Sequence, residues 1–200
     1  MDKYIEQHKK RLSFMPWLYF SLKDKHKIWA EPWQQEIQAQ LQELETVKIG
    51  KNCFISPEAN IFAEPGRQIT IGDNVTIASH VFLHGPITIE NGVSINTGVV
   101  IDGGAKGVFI GQNSRIASGV KIYAFNHGMK ADFLIKEQAV TSYGVYIGKD
   151  VWLGANACIT DNVTIGNHVV VGMGAVVTNS VAEWLIVGGV PAKEIGCRKN

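Results

Sequence analysis

A six-residue repeat of aliphatic side chains is the feature that most constrains the fold of this chain. Steps of six residues from Ile71, and again from Ile147, reach an aliphatic residue every time. This first column of positions is Ile71, Ile77, Leu83, Ile89, Ile95, Ile101, Ile147, Leu153, Ile159, Ile165, Val171 and Val177. A second column, four residues further on, is also apolar: Val75, Val81, Ile87, Val93, Val99, Ala105, Val151, Ala157, Val163, Val169, Ala175 and Val181. A fixed short period of this kind is typical of a repeat architecture.

A third column, three residues after the first, is mostly polar or small. Its members are Asn74, His80, Pro86, Gly92, Gly98, Gly104, Asp150, Asn156, Asn162, His168, Gly174 and Ser180. Glycine, asparagine and aspartate tolerate left-handed backbone angles, so they suit sharp corners. Each six-residue unit is therefore predicted to be a short strand followed by a corner.

Two folds compete for this pattern. An antiparallel β-sandwich also alternates apolar and outward-facing residues, but its turns vary in length and would not keep corner residues in one phase over six units. A solenoid requires that phase, because each coil lays its aliphatic residue on the coil below. The repeat therefore predicts a mainly β fold, a parallel β-helix.

The distribution of glycine divides the chain into two regions. No glycine precedes Lys48, and all 21 follow it. Upstream, strong helix formers follow Glu31–Trp33, where Pro32 is predicted to stand at a helix start. The predicted divisions are 1–46 as a helical N-terminal segment, 47–200 as the β-helix domain, 103–107 as a bulge, 128–144 as an inserted loop and 181–200 as a C-terminal cap.

The apolar run 12–22 in the helical segment is flanked by basic residues on both sides. Proline interrupts the run and no small-residue cleavage site follows, so we do not expect a removable signal peptide. The run is also too short to span a bilayer. A helical cap or a subunit-packing element is the favoured interpretation, and a peripheral membrane contact through this segment is the less favoured one.

Composition restricts the partners and the compartment. The formal net charge of +1 provides no long-range field for nucleic acid, so no nucleic-acid partner is expected. The three cysteines, Cys53, Cys158 and Cys197, match neither a disulfide framework nor a zinc spacing. We therefore expect a reducing, cytoplasmic location.

Four segments resemble the hexapeptide-repeat acyltransferases, and among them the maltose, galactoside and related sugar O-acetyltransferases. They are YAFNH at 123–127, VYIGKDVWLG at 145–154, GMGAVVT at 172–178 and VGGVPAK at 187–193. The resemblance implies a left-handed triangular β-helix. It also implies a homotrimer with active sites between subunits, acetyl-CoA as co-substrate, a small-molecule or saccharide acceptor and no metal.

The resemblance also implies which residues form the site. His127 matches the catalytic histidine of these enzymes, and Asn96 and Asp102 lie where they bind the acceptor. The residues implied for acetyl-CoA are Trp152, Ala155, Met173, Thr178, Lys193 and Arg198. The alternative for Asn96 and Asp102 is that they are exposed strand positions without a role in binding, and the alternative for Trp152 is that it packs between subunits.

A lysine often follows the threonine in this family. Here Asn179 stands in that place, which leaves the phosphate charge to Lys193 or Arg198.

The expected chemistry is direct acetyl transfer to a hydroxyl of a sugar or polysaccharide precursor. A thioester is already activated, and a histidine with a pKa near 6.5 can take the hydroxyl proton.

N-acetylation of an amino sugar or antibiotic-like amine is the main alternative. Lesser alternatives are a non-catalytic scaffold and a metal-dependent hydratase of the γ-carbonic anhydrase type using His80, His84 and His127. No near histidine follows His127, but the three imidazoles could still meet across a trimer interface. His80 and His168 are interpreted as corner residues, and His84 fits either role.

Overall fold

The computed structural model describes residues 3–199, so residues 1, 2 and 200 of the predicted divisions lie outside the described residues. The helices are α1 (Lys3–Phe14), a 3₁₀ helix (Pro16–Ser21), α2 (Asp24–Leu44) and a second 3₁₀ helix (Ile135–Glu137). Within 3–199, no helix has the length and apolar character needed to cross a membrane. The strands are β1 (Val47–Ile49), β2 (Phe54–Ile55), β3 (Asn60–Phe62), β4 (Ile69–Ile71), β5 (Thr76–Ile77), β6 (Phe82–His84), β7 (Ile87–Ile89), β8 (Ser94–Ile95), β9 (Val100–Asp102), β10 (Val108–Ile110), β11 (Arg115–Ile116), β12 (Lys121–Tyr123), β13 (Asn126–His127), β14 (Val140–Thr141), β15 (Val145–Ile147), β16 (Trp152–Leu153), β17 (Cys158–Ile159), β18 (Val163–Ile165), β19 (Val170–Val171), β20 (Val176–Val177), β21 (Leu185–Gly188) and β22 (Lys193–Cys197).

The strands stack into three parallel sheets, which form the three faces of a solenoid. The first face holds β1, β4, β7, β10, β15 and β18, and the third holds β3, β6, β9, β12, β17 and β20. The second face holds β2, β5, β8, β11, β16, β19 and β21, with β22 added antiparallel to β21. The predicted mainly β solenoid with an N-terminal helical segment is confirmed.

The first aliphatic column forms the centre of the solenoid. All twelve of its side chains are no more than 2% exposed. The second column is buried except at Ala105 and Val181. Ala105 is exposed because it lies in the predicted bulge, where the Gly107 N–H donates to the Gly103 carbonyl at 2.7 Å. The chain returns to the core at Val108.

The corner column is confirmed at ten of its twelve positions by positive φ angles. These positions are Asn74, His80, Gly92, Gly98, Gly104, Asp150, Asn156, Asn162, His168 and Gly174. The interpretation of His80 and His168 as corner residues is therefore confirmed. The other two positions of the column have no positive φ: the Pro86 ring fixes a negative φ, and the Ser180 hydroxyl accepts the Thr164 N–H at 3.0 Å.

The predicted helix start at Pro32 is wrong. The helix α2 begins at Asp24 and contains Pro32 in its interior. A proline inside a helix removes one backbone hydrogen bond and costs roughly 3 kcal/mol, so packing on either side must outweigh that cost. Ala30 is fully buried, and the Trp33 ring packs against Phe54 with centroids 5.9 Å apart.

Gln34 joins α2 to the first coil of the solenoid. Its side chain is buried, its Oε1 accepts the Ile55 N–H at 2.8 Å, and its Nε2 donates to the Ile55 carbonyl at 3.1 Å. Gln38 adds a hydrogen bond from Nε2 to the Cys53 carbonyl at 2.9 Å. The helical segment thus supplies the backbone partners that a coil below would otherwise provide.

Replacing Gln34 by alanine is expected to destabilise the protein by about 1–3 kcal/mol, because a buried N–H and a buried carbonyl of Ile55 lose their partners. Chemical denaturation of the purified variant measures this loss. The neighbouring exposed Gln35→Ala variant is the control and should change the free energy of unfolding by less than about 0.5 kcal/mol. Equal effects of the two changes would show that the helix does not cap the coil in this way.

Candidate functional site

The inserted segment between the fourth and fifth coils is held firmly at its base. The Ser142 hydroxyl donates to the Ala124 carbonyl at 2.5 Å and accepts the Ala105 and Lys106 N–H groups at 3.0 Å each. The buried Asp161 carboxylate accepts the Tyr143 and Gly144 N–H groups at 2.8–3.1 Å. A clamped base allows the segment to present side chains in a defined position outside the coils.

His127 lies on the hairpin that opens this segment. The strands β13 and β14 pair antiparallel, with His127 opposite Val140. The His127 side chain is exposed, and its ring contacts Phe125 with centroids 6.1 Å apart and planes at 74°. Within residues 3–199, neither of its ring nitrogens has a hydrogen-bond partner. Both ring nitrogens are therefore accessible to a ligand.

A cavity of about 510 Å³ lies beside the hairpin. Its wall includes Phe125 and Val140 from the inserted segment and Arg67, His84 and Asp102 from the coils below. One side is therefore apolar and the other carries charge. That combination is typical of small-molecule sites, in which a few polar groups orient a ligand against an apolar surface.

His84 and Asp102 form the polar centre of this cavity. They are register partners on β6 and β9, and His84 Nδ1 lies 3.2 Å from Asp102 Oδ2. Arg67 Nη2 lies 3.6 Å from Asp102 Oδ1, and its Nε donates to the Gly85 carbonyl at 2.7 Å. Glu64 Oε1 lies 3.5 Å from His84 Nε2. Both His84 nitrogens thus face carboxylates, which fix the orientation of its ring.

The two predicted acceptor residues lie apart. Asp102 ends β9 at the edge of the third face, where it lines the cavity. Asn96 follows β8 at the corner where the third face begins. Asp102 therefore lines the cavity and Asn96 does not, while His127 lies outside the cavity wall, opposite its lining residue Val140.

The residues implied for acetyl-CoA fall into separate places. Ala155 and Met173 occupy one corner, where the Gly174 N–H donates to the Ala155 carbonyl at 2.9 Å, and Trp152 projects from the adjoining second face with 53% of its surface exposed. Lys193 begins β22 opposite Gly188. Thr178 follows β20 at the far end of the third face, and its hydroxyl accepts a hydrogen bond from Asn179.

Arg198 lies in a cluster at the opposite end of the second face. Its Nη1 donates to the His168 carbonyl at 3.0 Å and lies 3.2 Å from Asp150 Oδ2. His168 Nδ1 bonds the same carboxylate at 2.8 Å, and its ring stacks on Trp184 with centroids 4.0 Å apart. These contacts bind the C-terminal strand to the last coils, so Arg198 has a structural role here whether or not it meets a ligand.

The Asp150 cluster predicts a pH-dependent stability. The His168 hydrogen bond, and after it Arg198, lowers the pKa of Asp150 below its usual 3.8. A carboxyl with a lowered folded-state pKa stabilises the fold above its unfolded pKa, and this gain is lost as the pH falls through the folded value. Asp150→Asn should therefore lower the melting temperature by a few degrees at most near neutral pH, and by nothing in strong acid. Thermal scans across pH measure this difference, and exposed Asp132→Asn is the control. A deficit independent of pH would contradict the electrostatic origin.

Within one chain, the histidines of the metal alternative have different surroundings. His80 lies 3.7 Å from Glu58 and packs against Phe14, whereas His84 faces Asp102 and Glu64. Within the described part of the chain, no three His, Cys, Asp or Glu side chains form an arrangement that could hold a metal ion.

The chain is similar in sequence to known transferases. The family described as "Bacterial transferase hexapeptide (six repeats)" matches residues 144–179. A galactoside O-acetyltransferase from Escherichia coli is 30% identical over 88 residues, which cover 44% of this chain and 43% of that protein. A chloramphenicol acetyltransferase from Agrobacterium fabrum is 32% identical over 111 residues, covering 47% and 53%. The chain thus spans about half the length of these curated relatives.

A solved structure extends the similarity to most of the chain. A variant of AntD, an N-acyltransferase from Bacillus cereus, superposes with a TM-score of 0.72 at 33% identity, covering 82% of this chain and 90% of AntD. The chain belongs to the hexapeptide-repeat acyltransferases. The AntD crystal contains coenzyme A and dTDP-4-amino-4,6-dideoxyglucose.

The cavity of this hexapeptide-repeat acyltransferase has Arg67 in its wall and Glu64 next to its His84, two charged residues that the sequence did not single out. Neither belongs to a motif, because both follow the short strand β3 in an irregular turn. The His84–Asp102 pair carried a usable signal. The two residues are 18 positions apart, which is the length of one coil, so the repeat itself places them in register on one face.

Proposed function

We propose that this protein is an acetyl-CoA-dependent O-acetyltransferase whose acceptor is a hydroxyl of a sugar or polysaccharide precursor. One observation carries the proposal. In a chain of this family, an exposed histidine with free ring nitrogens lies on a clamped hairpin beside a cavity that is apolar on one side and charged on the other. A free imidazole at such an edge suits a general base.

His127 would act by removing the proton of the acceptor hydroxyl. The hydroxyl oxygen attacks the thioester carbonyl carbon, the carbon–sulfur bond breaks, and the departing thiolate takes a proton from the imidazolium. A positioned base of this kind contributes about 10²–10⁴ in rate. Alignment of the thioester with the hydroxyl supplies much of the remaining acceleration.

The acceptor would bind on the coil side of the cavity. Asp102 can accept hydrogen bonds from sugar hydroxyls, while Arg67 and His84 hold its carboxylate in place. Phe125 and Val140 offer an apolar surface to the non-polar face of a sugar ring. His84 and Arg67 are thus positioning residues in this proposal, and Asp102 is the acceptor-binding one.

A homotrimer would complete the site. His127 follows β12 and so lies just past the end of the third face. Ala155 and Met173 lie at the opposite edge, in the corner that precedes β17 and β20 of the same face. Because one chain holds these groups at opposite ends of a face, acetyl-CoA bound along Trp152, Ala155 and Met173 would meet the His127 of a neighbouring subunit. We propose that this trimer works in the cytoplasm, in line with its free cysteines.

Transfer to an amino group of a sugar is the second candidate. Two observations favour it: AntD, an N-acyltransferase, is similar over 82% of this chain, and two carboxylates, Asp102 in the cavity wall and Glu64 next to His84, face the single guanidinium of Arg67. An excess of negative charge suits an ammonium group. The first candidate ranks higher because an exposed general base is needed more by a hydroxyl than by an amine.

Matched acceptor pairs test the proposal. Sugars and sugar nucleotides that differ only by a hydroxyl or an amino group at one carbon are incubated with acetyl-CoA, and thiol release is followed. Release with the hydroxyl partner and a product ester labile to mild base is the expected result. A base-stable amide would establish the second candidate instead, and thiol release that no acceptor accelerates would contradict both.

A further inference from the structure

Positive charge is concentrated at the N-terminal end of the described chain. Residues 3–27 carry seven lysine and arginine side chains against two acidic ones, although the whole chain has a net charge of only +1. Glu6 and Asp24 pair with Lys9 and Lys27, each at 3.0 Å. Within residues 3–199, Arg11, Lys23 and Lys25 form no ion pair, and all three are exposed. Their charge is available to an external partner.

The 3₁₀ helix Pro16–Ser21 directs some of its apolar side chains inward and others outward. Residues three apart in a 3₁₀ helix are eclipsed. Pro16 and Tyr19 face inward, since Pro16 is buried and Tyr19 packs on Phe54 with ring centroids 5.3 Å apart. Trp17 and Phe20 project outward, with 51% and 45% of their surfaces exposed. Two large aromatic side chains are thus presented to solvent by a helix that is fixed to the core on its other side.

The third side of this 3₁₀ helix lines a basic cleft of about 340 Å³. Its lining includes Leu18 and Ser21 from the helix and the basic residues Arg11, Lys23 and Lys25. His8 and His26 also line it, with ring centroids 4.7 Å apart. The Ser21 hydroxyl already donates to the Leu18 carbonyl at 3.0 Å, so the cations are the groups of this cleft that suit a phosphate.

We infer that two adjoining sides of this helix, the outward side with Trp17 and Phe20 and the cleft side with Arg11, Lys23 and Lys25, together form a basic–aromatic face that docks on the surface of an anionic phospholipid bilayer. Lipid phosphates would occupy the cleft, where each basic side chain near the surface adds affinity. The rings of Trp17 and Phe20 would lie at the level of the headgroups, which is the depth that aromatic side chains favour. Charge complementarity selects an anionic bilayer over a second copy of this chain, because two copies would bring like charges together.

Cosedimentation of the full-length protein with lipid vesicles tests the inference. Vesicles of phosphatidylcholine alone are compared with vesicles of equal parts phosphatidylcholine and phosphatidylglycerol. The protein should bind only the anionic vesicles, and the binding should weaken as salt is raised. The triple variant Arg11→Gln, Lys23→Gln, Lys25→Gln should lose affinity on the order of a hundredfold.

Two further variants distinguish binding through this face from binding through positive charge anywhere on the protein. The control triple Lys48→Gln, Lys51→Gln, Lys149→Gln removes the same charge from exposed positions elsewhere and should leave binding unchanged within about twofold. Trp17→Ser with Phe20→Ser should weaken binding but keep its salt dependence. Equal binding to neutral and anionic vesicles, no binding to either, or wild-type binding by the neutralised variant would overturn the inference. A smaller species of the aromatic variant in size-exclusion chromatography would assign the face to a subunit contact instead.

Discussion

Replacing His127 by alanine is expected to lower the acetyl-transfer rate by about 10²–10⁴ while leaving the affinity for acetyl-CoA unchanged. The reason is that His127 projects from a hairpin and shares no hydrogen bond with the coils, so its loss removes the base without altering the fold. Steady-state kinetics of thiol release and calorimetry of acetyl-CoA binding measure the two effects separately.

A matched histidine serves as the control for this prediction. His80 occupies a corner with φ of 59°, and asparagine tolerates the same backbone angle. His80→Asn removes an exposed imidazole away from the hairpin and should keep the rate and the melting temperature. A His127→Ala enzyme that keeps a tenth or more of the activity would exclude His127 as the base.

Replacing Ile101 by alanine is expected to destabilise the protein by about 2–5 kcal/mol. Ile101 is completely buried between its register partners Leu83 and Ile122, so truncation leaves a gap inside a continuous column. The coils on both sides are held by backbone ladders and cannot collapse into the gap. Denaturant unfolding measures the loss.

The neighbouring residue in the same strand provides the control for Ile101. Val100 points the other way and is partly exposed, so Val100→Ala should cost less than about 1 kcal/mol. Comparable losses for the two variants would mean that the stacked column does not carry the stability of the solenoid.

The sequence predicted the solenoid well because its structure is periodic. Three residue columns at one period place the core and ten of twelve corners, since every coil imposes the same requirement on the same positions. Ala105 departs from the buried pattern because the turn after Asp102 breaks the period. The helix start predicted at Pro32 was wrong because the contacts of Trp33 and Gln34 outweigh the local cost of a proline in α2. Those contacts are made with residues distant in sequence.

The candidate site was less predictable because it depends on contacts outside the repeat. His127 follows from its motif, and the pairing of His84 with Asp102 follows from their spacing of one coil. Arg67 and Glu64 come from an irregular turn, so no periodicity marks them. The prediction of Arg198 as a phosphate contact did not include its contacts with Asp150 and His168, because those residues are distant in the sequence.

Calorimetric titration of acetyl-CoA into the purified protein tests the central claim, that this solenoid carries a thioester-binding site served by His127. Saturable binding at one site per chain is expected, with the same affinity in the wild type and in His127→Ala. Absence of binding at about 1 mM acetyl-CoA, the upper end of usual Michaelis constants, would show that the fold serves as a scaffold and contradict the account.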